Sequence, residues 1–311
     1  MTASLLSVGE CMAELSRGGG AGAAGPLGSG WRLGFGGDTL NTAVYLARLR
    51  GAGAVGYVTR VGDDVYSRAM ADAWAEEGLD PDCVEVAEGR TIGLYAIETD
   101  PAGERRFAYW RDQAPARGLF TEGDWRGRVG RIAEARLVYF SGITLAILPE
   151  AGRARLIEAA AAARAAGAIV AVDPNHRPRL WSAADAALWL DRAYRAADIV
   201  LTSAEEEAQL FGVEGVQAAL ARLSALGVRH PVAKAGDKGA FVLEAGAPHL
   251  VAAQTARRVV DTTGAGDSFN AGFLAAALDR ASDVEAAAAG CALGARVVVE
   301  SGAIIARDAP A

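Results

Sequence analysis

The sequence predicts an α/β fold, in which a mainly parallel central sheet lies between two layers of helices and carries a small β lid. Strand-like and helix-like stretches alternate along most of the chain, which is typical of βαβ units. One hairpin-like segment interrupts this alternation. The chain has 311 residues, of which 51% are hydrophobic and 22% charged, so a large core can form. We treat residues 1–311 as a single domain.

The alternating elements follow from short apolar runs and from apolar residues at helical spacing. Strands are predicted at residues 5–8, 55–58, 136–140, 168–172, 199–201, 231–234 and 240–243. Helices are predicted at residues 66–78, 150–166, 183–197, 214–226, 267–280 and 283–299. A further helix follows Asp38, a residue type that suits an N-cap. Residues 17–30, rich in Gly, Ala and Ser, indicate a loop or an irregular hairpin.

Residues 91–111 are the segment that breaks the alternation. Two strand-like runs flank Asp100-Pro101-Ala102-Gly103, which is favourable turn chemistry. A lone hairpin is only marginally stable, so this one must pack on another element. Either it forms a lid over an active site, built from about residues 12–34 and 89–117 and available for a dimer contact, or it is an antiparallel edge of the main sheet.

Charge and cysteine content exclude several function classes. A formal net charge of −7 and a pI near 5.2 argue against a nucleic-acid partner. Three cysteines, widely spaced, argue against a disulfide framework or a zinc motif. The N-terminus shows no basic leader before an apolar stretch, and no apolar run is long enough for a bilayer. We therefore expect a cytoplasmic protein with no membrane partner.

Residues 259–278, VVDTTGAGDSFNAGFLAAAL, carry the clearest functional signal. Gly264, Ala265 and Gly266 form a turn that leads into a helical pattern. The first amide groups of a helix lack internal partners and attract anions, and glycines allow close approach. Asp267 follows directly, where a carboxylate can accept the proton of an attacking hydroxyl beside a bound phosphoryl group. The alternative is that Asp267 only caps the helix.

A second glycine pattern, Gly51-Ala52-Gly53-Ala54-Val55-Gly56, matches GxGxxG in letters only. A helix precedes it and a strand follows, the reverse of a dinucleotide site, so we interpret it as a helix C-cap and turn. No Walker A motif occurs in the sequence. Any phosphoryl transfer therefore proceeds without a P-loop.

Two motifs together resemble the ribokinase-like (PfkB) carbohydrate kinase family. DTTGAGDSFNAGF at residues 261–273 is similar to the C-terminal motif of that family, and GGDTLNTA at residues 36–43 to its N-terminal one. The resemblance covers essentially the whole chain. It implies a ribokinase-like three-layer sandwich with a β lid, and a kinase that uses ATP and Mg²⁺, with a monovalent cation as an optional third cofactor.

Further strings resemble the branch of this family that phosphorylates 2-keto-3-deoxygluconate. They are GECMAEL, GGDTLNTAVYLARL, YWRDQAPAR, FSGITLAIL and DPNHRPRLW. The implied partners are a sugar acid, ATP and a second copy of the chain bound through the lid. The alternatives are a kinase of fructose, of another sugar or of a nucleoside in the same family, and a sugar-binding sensor without activity.

The resemblance also implies roles for individual residues. Asp267 is the base, and Gly264, Ala265 and Gly266 form the anion hole. The sugar site comprises Gly36, Gly37, Asp38, Asn41, Tyr95, Tyr109, Arg111 and Arg177. The nucleotide site comprises Ser203, Lys234, Gly236, Gly239, Gly264 and Gly266.

Two positions can be weighed on their chemistry as well. A guanidinium fork suits the carboxylate of a sugar acid, which favours Arg111 and Arg177, although a solvated surface arginine is the commoner case. The family commonly has Asn-x-x-Glu at the Mg²⁺ site, but here Ser203 takes the place of the Asn, with Glu206 as the acid. Glu206 can serve the metal, or residues 205–207 are only an acidic helix start.

Overall fold

The computed structural model describes residues 3–17, 30–99 and 105–307. Its strands are β1 (Leu5–Val8), β2 (Met12–Arg17), β3 (Trp31–Gly36), β4 (Val55–Gly62), β5 (Val84–Ala87), β6 (Leu94–Thr99), β7 (Arg105–Trp110), β8 (Leu137–Ser141), β9 (Ile169–Asp173), β10 (Ile199–Ser203), β11 (His230–Lys234), β12 (Gly239–Glu244) and β13 (Ala247–Ala252). Its helices are α1 (Asp38–Arg50), α2 (Val65–Glu76), α3 (Trp125–Ala133), α4 (Gly142–Ile147), α5 (Glu150–Ala165), α6 (Ala183–Arg195), α7 (Ala204–Phe211), α8 (Val216–Ala225), α9 (Ala265–Leu278) and α10 (Asp283–Val297).

The central sheet has the strand order β13-β12-β11-β10-β9-β8-β1-β4-β5. All neighbours from β11 to β5 are parallel, and β12 and β13 continue the sheet antiparallel at one edge. This arrangement confirms the predicted fold class. The carboxyl ends of the parallel strands meet at one edge, where α/β folds bind ligands.

Two hydrophobic cores lie on opposite faces of the central sheet. Side chains of adjacent residues alternate between them: Leu6 and Val138 belong to one core, Leu5 and Leu137 to the other. Residues of α5 and α6 fill the first core, and residues of α1, α2, α9 and α10 fill the second. The sheet is therefore covered on both faces, which gives the three layers.

A separate small sheet has the strand order β3-β2-β6-β7. Strands β6 and β7 form the predicted hairpin, with Tyr95 opposite Tyr109. The hairpin thus lies in the small sheet and not at the edge of the central sheet, which excludes that alternative. Its turn at residues 100–104, and residues 18–29 of the predicted Gly-rich loop, lie outside the described residues.

Several local predictions can be compared with the structure. Gly51 is the C-cap of α1 with a φ of 94°, which confirms the capping interpretation of the 51–56 pattern. The structure adds β2, β3, β5, β13, α3 and α4, which the sequence patterns did not predict. Across the described ranges, no helix combines the length and the apolar character needed to cross a membrane.

Candidate active site

The site lies at the carboxyl ends of three neighbouring parallel strands. Strand β9 ends at Asp173, β10 at Ser203 and β11 at Lys234. The first turn of α9 places Asp267 near them, because the Lys234 ammonium is close enough to lower the pKa of that carboxyl. The parallel register makes this edge a place where side chains distant in sequence meet.

Asp267 lies in the first turn of α9 and faces α1. Its Oδ2 accepts a hydrogen bond of 2.8 Å from the Asn41 amide, and its carbonyl accepts one of 3.1 Å from the Thr42 hydroxyl. Burial and the nearby carboxylate of Asp38 raise the pKa of Asp267 to about 7, against the opposing effect of the Asn41 hydrogen bond. An acid of that pKa exchanges protons readily near neutral pH, as a general base must.

The glycine turn precedes Asp267 as predicted, but the helix begins earlier than residue 267. Gly264 is the N-cap of α9 with a φ of 75°, so the alternative in which Asp267 caps the helix is wrong. A side chain at Gly264 would be strained at that φ and would also lie 2.7 Å from the carbonyl oxygen of Ala303. No side chain caps this turn, but the Ala265 amide donates to the Thr262 carbonyl at 3.2 Å. We therefore expect an anion to meet the amide groups of Gly264 and Gly266, and the predicted part of Ala265 as an amide donor is not supported.

Asp173 is the centre of a buried network behind Asp267. Its Oδ2 accepts hydrogen bonds of 2.7 Å from the Lys234 ammonium and 2.6 Å from the Asn270 amide. Asn270 also donates to the Tyr139 hydroxyl at 3.0 Å. The network joins β8, β9, β11 and α9, and therefore fixes α9 against the edge of the sheet.

Asp38 was predicted as the N-cap of α1, and this prediction is wrong. Gly37 is the N-cap, without a side-chain hydrogen bond, and Asp38 is the first helical residue. A Cβ at Gly37 would overlap the backbone of Glu10 and Cys11, so only glycine permits this close approach. The Asp38 carboxylate instead accepts a hydrogen bond of 2.7 Å from Asn175, in the loop after β9.

Glu206 and Ser203 lie at the start of α7. Ser203 is its N-cap and accepts a hydrogen bond of 3.2 Å from the Glu206 amide, so the predicted acidic helix start is present. Glu206 Oε1 also accepts the His176 amide at 3.1 Å. Burial and the nearby Asp173 carboxylate raise the pKa of Glu206. Gly236 and Gly239 lie in the turn between β11 and β12 at the same end of the sheet.

Glu206 suits a Mg²⁺ ion that arrives bound to a nucleotide better than it suits a Mg²⁺ site formed by protein side chains alone. Mg²⁺ retains several waters and binds one or two carboxylates together with phosphate oxygens. A cation beside Glu206 would offset the repulsion that raises the pKa of that carboxyl. Within the described part of the chain, no three His, Cys, Asp or Glu side chains are grouped to hold a metal.

The small sheet supplies the other predicted sugar residues. Tyr95 and Tyr109 are cross-strand neighbours with ring centroids 6.0 Å apart. The Tyr95 hydroxyl donates to the Glu14 carboxylate and lies where a side chain at Gly36 would be. Gly36 and Tyr95 are thus brought together, at the point where the chain passes from the small sheet into α1.

The two arginines have different environments. Arg111, directly after β7, is buried and forms an ion pair with the buried Glu10, two residues beyond the end of β1. Arg177 is exposed in the loop after β9, with only a long contact of 3.4 Å to the His176 carbonyl among the described residues. The guanidinium of Arg179 lies 5.9 Å from the Tyr109 ring centroid, which places this loop next to the small sheet.

Sequence reasoning missed the partners of these residues. Glu10 and Glu14 occur in the GECMAEL string, but nothing in that string shows that they pair with Arg111 and Tyr95. Asp173 directly follows the strand predicted at residues 168–172 and was not predicted as a site residue. An acid at the end of a buried strand next to Pro174 and Asn175 was the available signal.

Comparisons with known proteins give matches over nearly the whole chain. A family model described as pfkB family carbohydrate kinase matches residues 2–310. The 2-dehydro-3-deoxygluconokinase of Escherichia coli K12 is 38% identical over 316 residues, which cover 99% of each chain. The name 2-dehydro-3-deoxygluconate is a synonym of 2-keto-3-deoxygluconate.

Two solved structures resemble the whole fold. A PfkB protein from Polaromonas sp. JS666 has a TM-score of 0.82 at 27% identity and covers 96% of both chains. A fructokinase with bound ATP from Xylella fastidiosa has a TM-score of 0.79 at 26% identity and covers 96% of this chain and 93% of its own.

Proposed function

The chain belongs to the pfkB family of carbohydrate kinases, and we propose that it transfers the γ-phosphoryl group of ATP to 2-keto-3-deoxygluconate, giving 2-keto-3-deoxy-6-phosphogluconate. The observation that carries the chemistry is the Asp267 carboxylate, with a pKa of about 7, directly after an uncapped glycine turn at a helix N-terminus. Retention of this acid favours an enzyme over a binding protein.

The reaction follows from that arrangement. The 6-hydroxyl oxygen of the sugar acid attacks the γ-phosphorus while the bond from that phosphorus to the bridging oxygen of ADP breaks. The hydroxyl proton passes to Asp267, and the amide groups of Gly264 and Gly266 donate to the phosphoryl oxygens. Asn41 holds the carboxylate toward the sugar by its 2.8 Å hydrogen bond. Positioning supplies much of the rate.

We assign recognition of the sugar acid to Arg111 and Arg177, with Tyr95 and Tyr109 of the small sheet closing over the sugar. Gly36, Gly37, Asp38 and Asn41 contribute the floor of this site at the start of α1. A carboxylate distinguishes this substrate from fructose, and a guanidinium recognises it through paired hydrogen bonds. Arg177 supports this assignment because it is exposed and has donors left for a ligand.

For the nucleotide we propose Ser203, Lys234, Gly236, Gly239, Gly264 and Gly266. Glu206 would hold Mg²⁺ through water, and the ion would neutralise charge on the ATP phosphates. A monovalent cation remains a prediction.

The remaining expectations concern the assembly and its surroundings. We propose that the small sheet, with flanking residues 12–34 and 89–117, acts as the lid of a single domain and as the contact of a homo-oligomer. Leu33 and Trp110 support a contact there, because they are 55% and 59% exposed. Sedimentation of the protein would test it. The three free cysteines support a reducing compartment, the cytoplasm.

The test is a coupled assay of ATP-dependent phosphorylation on 2-keto-3-deoxygluconate, its galactonate-derived epimer, fructose, ribose and adenosine. We expect the sugar acids to give the highest kcat/KM. In Arg177→Ala, kcat/KM for the sugar acid should fall by about 10–100-fold, the value of one charge-assisted contact, with little change for neutral sugars.

Arg179→Ala is the matched control, because it removes a neighbouring arginine that instead contacts the Phe107 carbonyl of the small sheet. Equal losses in both variants, or equal losses for acid and neutral sugars, would contradict the carboxylate assignment. Higher activity on fructose or adenosine than on the sugar acids would replace the proposed substrate.

A further inference from the structure

Lys234 is a partly buried cation with donors that make no hydrogen bond among the described residues. Its ammonium lies 2.7 Å from Asp173 Oδ2, and 20% of its side chain remains exposed. An ammonium carries three donors, and this ion pair is its one hydrogen bond among the described residues. The exposed fraction shows that the protein does not fully cover this side chain.

The ammonium also lies beside the glycine turn. A Cβ placed on Gly266 would be 3.9 Å from Lys234 Nζ, with no other described atom within 4 Å apart from those of the adjoining residues and the backbone of α9. The turn and the ammonium therefore border the same space, in front of the first turn of α9. A phosphoryl group bound by the amides of this turn would lie within reach of Lys234.

The charge around Lys234 explains why it stays protonated. Burial alone would lower its pKa, but the carboxylates of Asp173, Glu206 and Asp267 outweigh burial and raise the pKa of Lys234. Asp173 accepts its hydrogen bond and is itself held by Asn270 at 2.6 Å. The cation is therefore anchored behind Asp267 instead of pairing with that base.

We propose that Lys234 is a further catalytic residue, which donates to the γ-phosphoryl oxygens as they pass from ADP to the sugar, and that Asp173 is its positioning residue. This inference rests on the proposed kinase function and goes beyond nucleotide binding. The lysine keeps its proton throughout, so it adds a donor and a positive charge to the turn while Asp267 takes the hydroxyl proton.

The competing explanation is that Lys234 only neutralises the buried Asp173. The two explanations differ for the double variant Asp173→Asn/Lys234→Met, which removes both charges together. A purely structural pair can be replaced by a neutral pair with little loss, whereas a missing donor to the phosphoryl group cannot.

We would compare Lys234→Met, Lys234→Arg, Asp173→Asn and the double variant by steady-state kinetics, after confirming their folding by circular dichroism. Lys234→Met should lower kcat by about 10²–10³-fold, the typical effect of losing one such donor, while KM for the sugar changes less than threefold. Lys234→Arg should recover part of that loss, and the double variant should remain as slow as Lys234→Met.

Lys238→Met is the matched control, because Lys238 is the one other lysine of the chain and is exposed. It should keep kcat within threefold. The inference is overturned if Lys234→Met stays within tenfold of wild type, or if the double variant recovers to within tenfold.

The ratios are measured on whichever acceptor the wild type phosphorylates, including water in slow ATP hydrolysis. The identity of the sugar therefore does not enter this test. A wild-type enzyme that prefers another sugar would contradict the proposed substrate. The kcat ratios of the Lys234 variants, measured on that other sugar, would still decide whether Lys234 is catalytic.

Discussion

The amino and carboxyl ends of the parallel strands each contain a buried aspartate. The two aspartates differ in how fully the cations around them are hydrogen-bonded. At the amino end, Asp198 accepts hydrogen bonds from Arg164 at 2.7 Å, Arg229 at 2.6 Å and the Val170 amide at 3.0 Å. At the carboxyl end, Asp173 is paired with Lys234. The Lys234 ammonium makes no other hydrogen bond among the described residues, and its side chain is 20% exposed.

This difference suggests a structural role for the Asp198 cluster and a functional role for the Asp173 cluster. The cations around Asp198 also donate to backbone carbonyls, since Arg164 contacts Arg195 and Gly227. That cluster links the amino ends of β9 and β10 through the hydrogen bond from the Val170 amide to Asp198. The cluster at Asp173 lies near Asp267, Glu206 and the uncapped N-terminus of α9, where we propose that the substrates bind. Substitutions at the carboxyl end should therefore lower kcat, whereas substitutions at the amino end should lower the stability of the fold.

The largest effect is expected for Asp267→Asn. Without the base, kcat should fall by about 10²–10⁴-fold, whereas KM for both substrates should change little, because the amide keeps the shape and the Asn41 contact. Steady-state kinetics with sugar and ATP varied separately would measure it. Full activity in this variant would remove the assignment of Asp267 as the base.

Asp198→Asn tests the opposite end. The buried ion pairs would lose their anion, so we expect about 2–3 kcal/mol less stability, below the usual cost for a fully buried pair because Arg229 is largely exposed. The melting temperature should fall by roughly 3–5 °C. Calorimetry measures the loss, and kcat of the folded enzyme should remain unchanged. A large drop in kcat would show that the two ends are coupled.

The smallest expected effect is a shift in the pH dependence of kcat/KM. Because the pKa of Asp267 is raised to about 7, its basic form is lost as pH falls through that value, and kcat/KM should decline about tenfold per unit below it. Asp38→Asn removes the neighbouring negative charge, so the acid limb should move to lower pH. Saturating ATP, with wild type in the same buffers, separates this shift from ionisation of the nucleotide.

Asp198→Asn is the control for the pH profile, because it lies at the other end of the sheet. Its acid limb should coincide with that of wild type. An acid limb that does not move in Asp38→Asn would mean that a group other than Asp267 controls the profile.

Much of the fold was predictable because its signals are local. The apolar runs that became β1, β4, β8, β9, β10, β11 and β12 and the periodic stretches that became α5, α6 and α10 are visible in short windows. Strand β2 and helix α3 were missed because neither is strongly apolar. Tertiary partners hold them: β2 pairs with β3 and β6, and Arg128 of α3 contacts Glu85.

The sequence by itself determined the class of chemistry. A glycine turn, a helix start and an acid at residue 267 are contiguous, and backbone rules suffice to predict an anion site there. Only the tertiary structure decided that Lys234 is anchored by Asp173, and that Arg111 is paired with Glu10. These partners are separated by 61 and 101 residues, and no local pattern encodes which distant charges the packing of a sheet brings together.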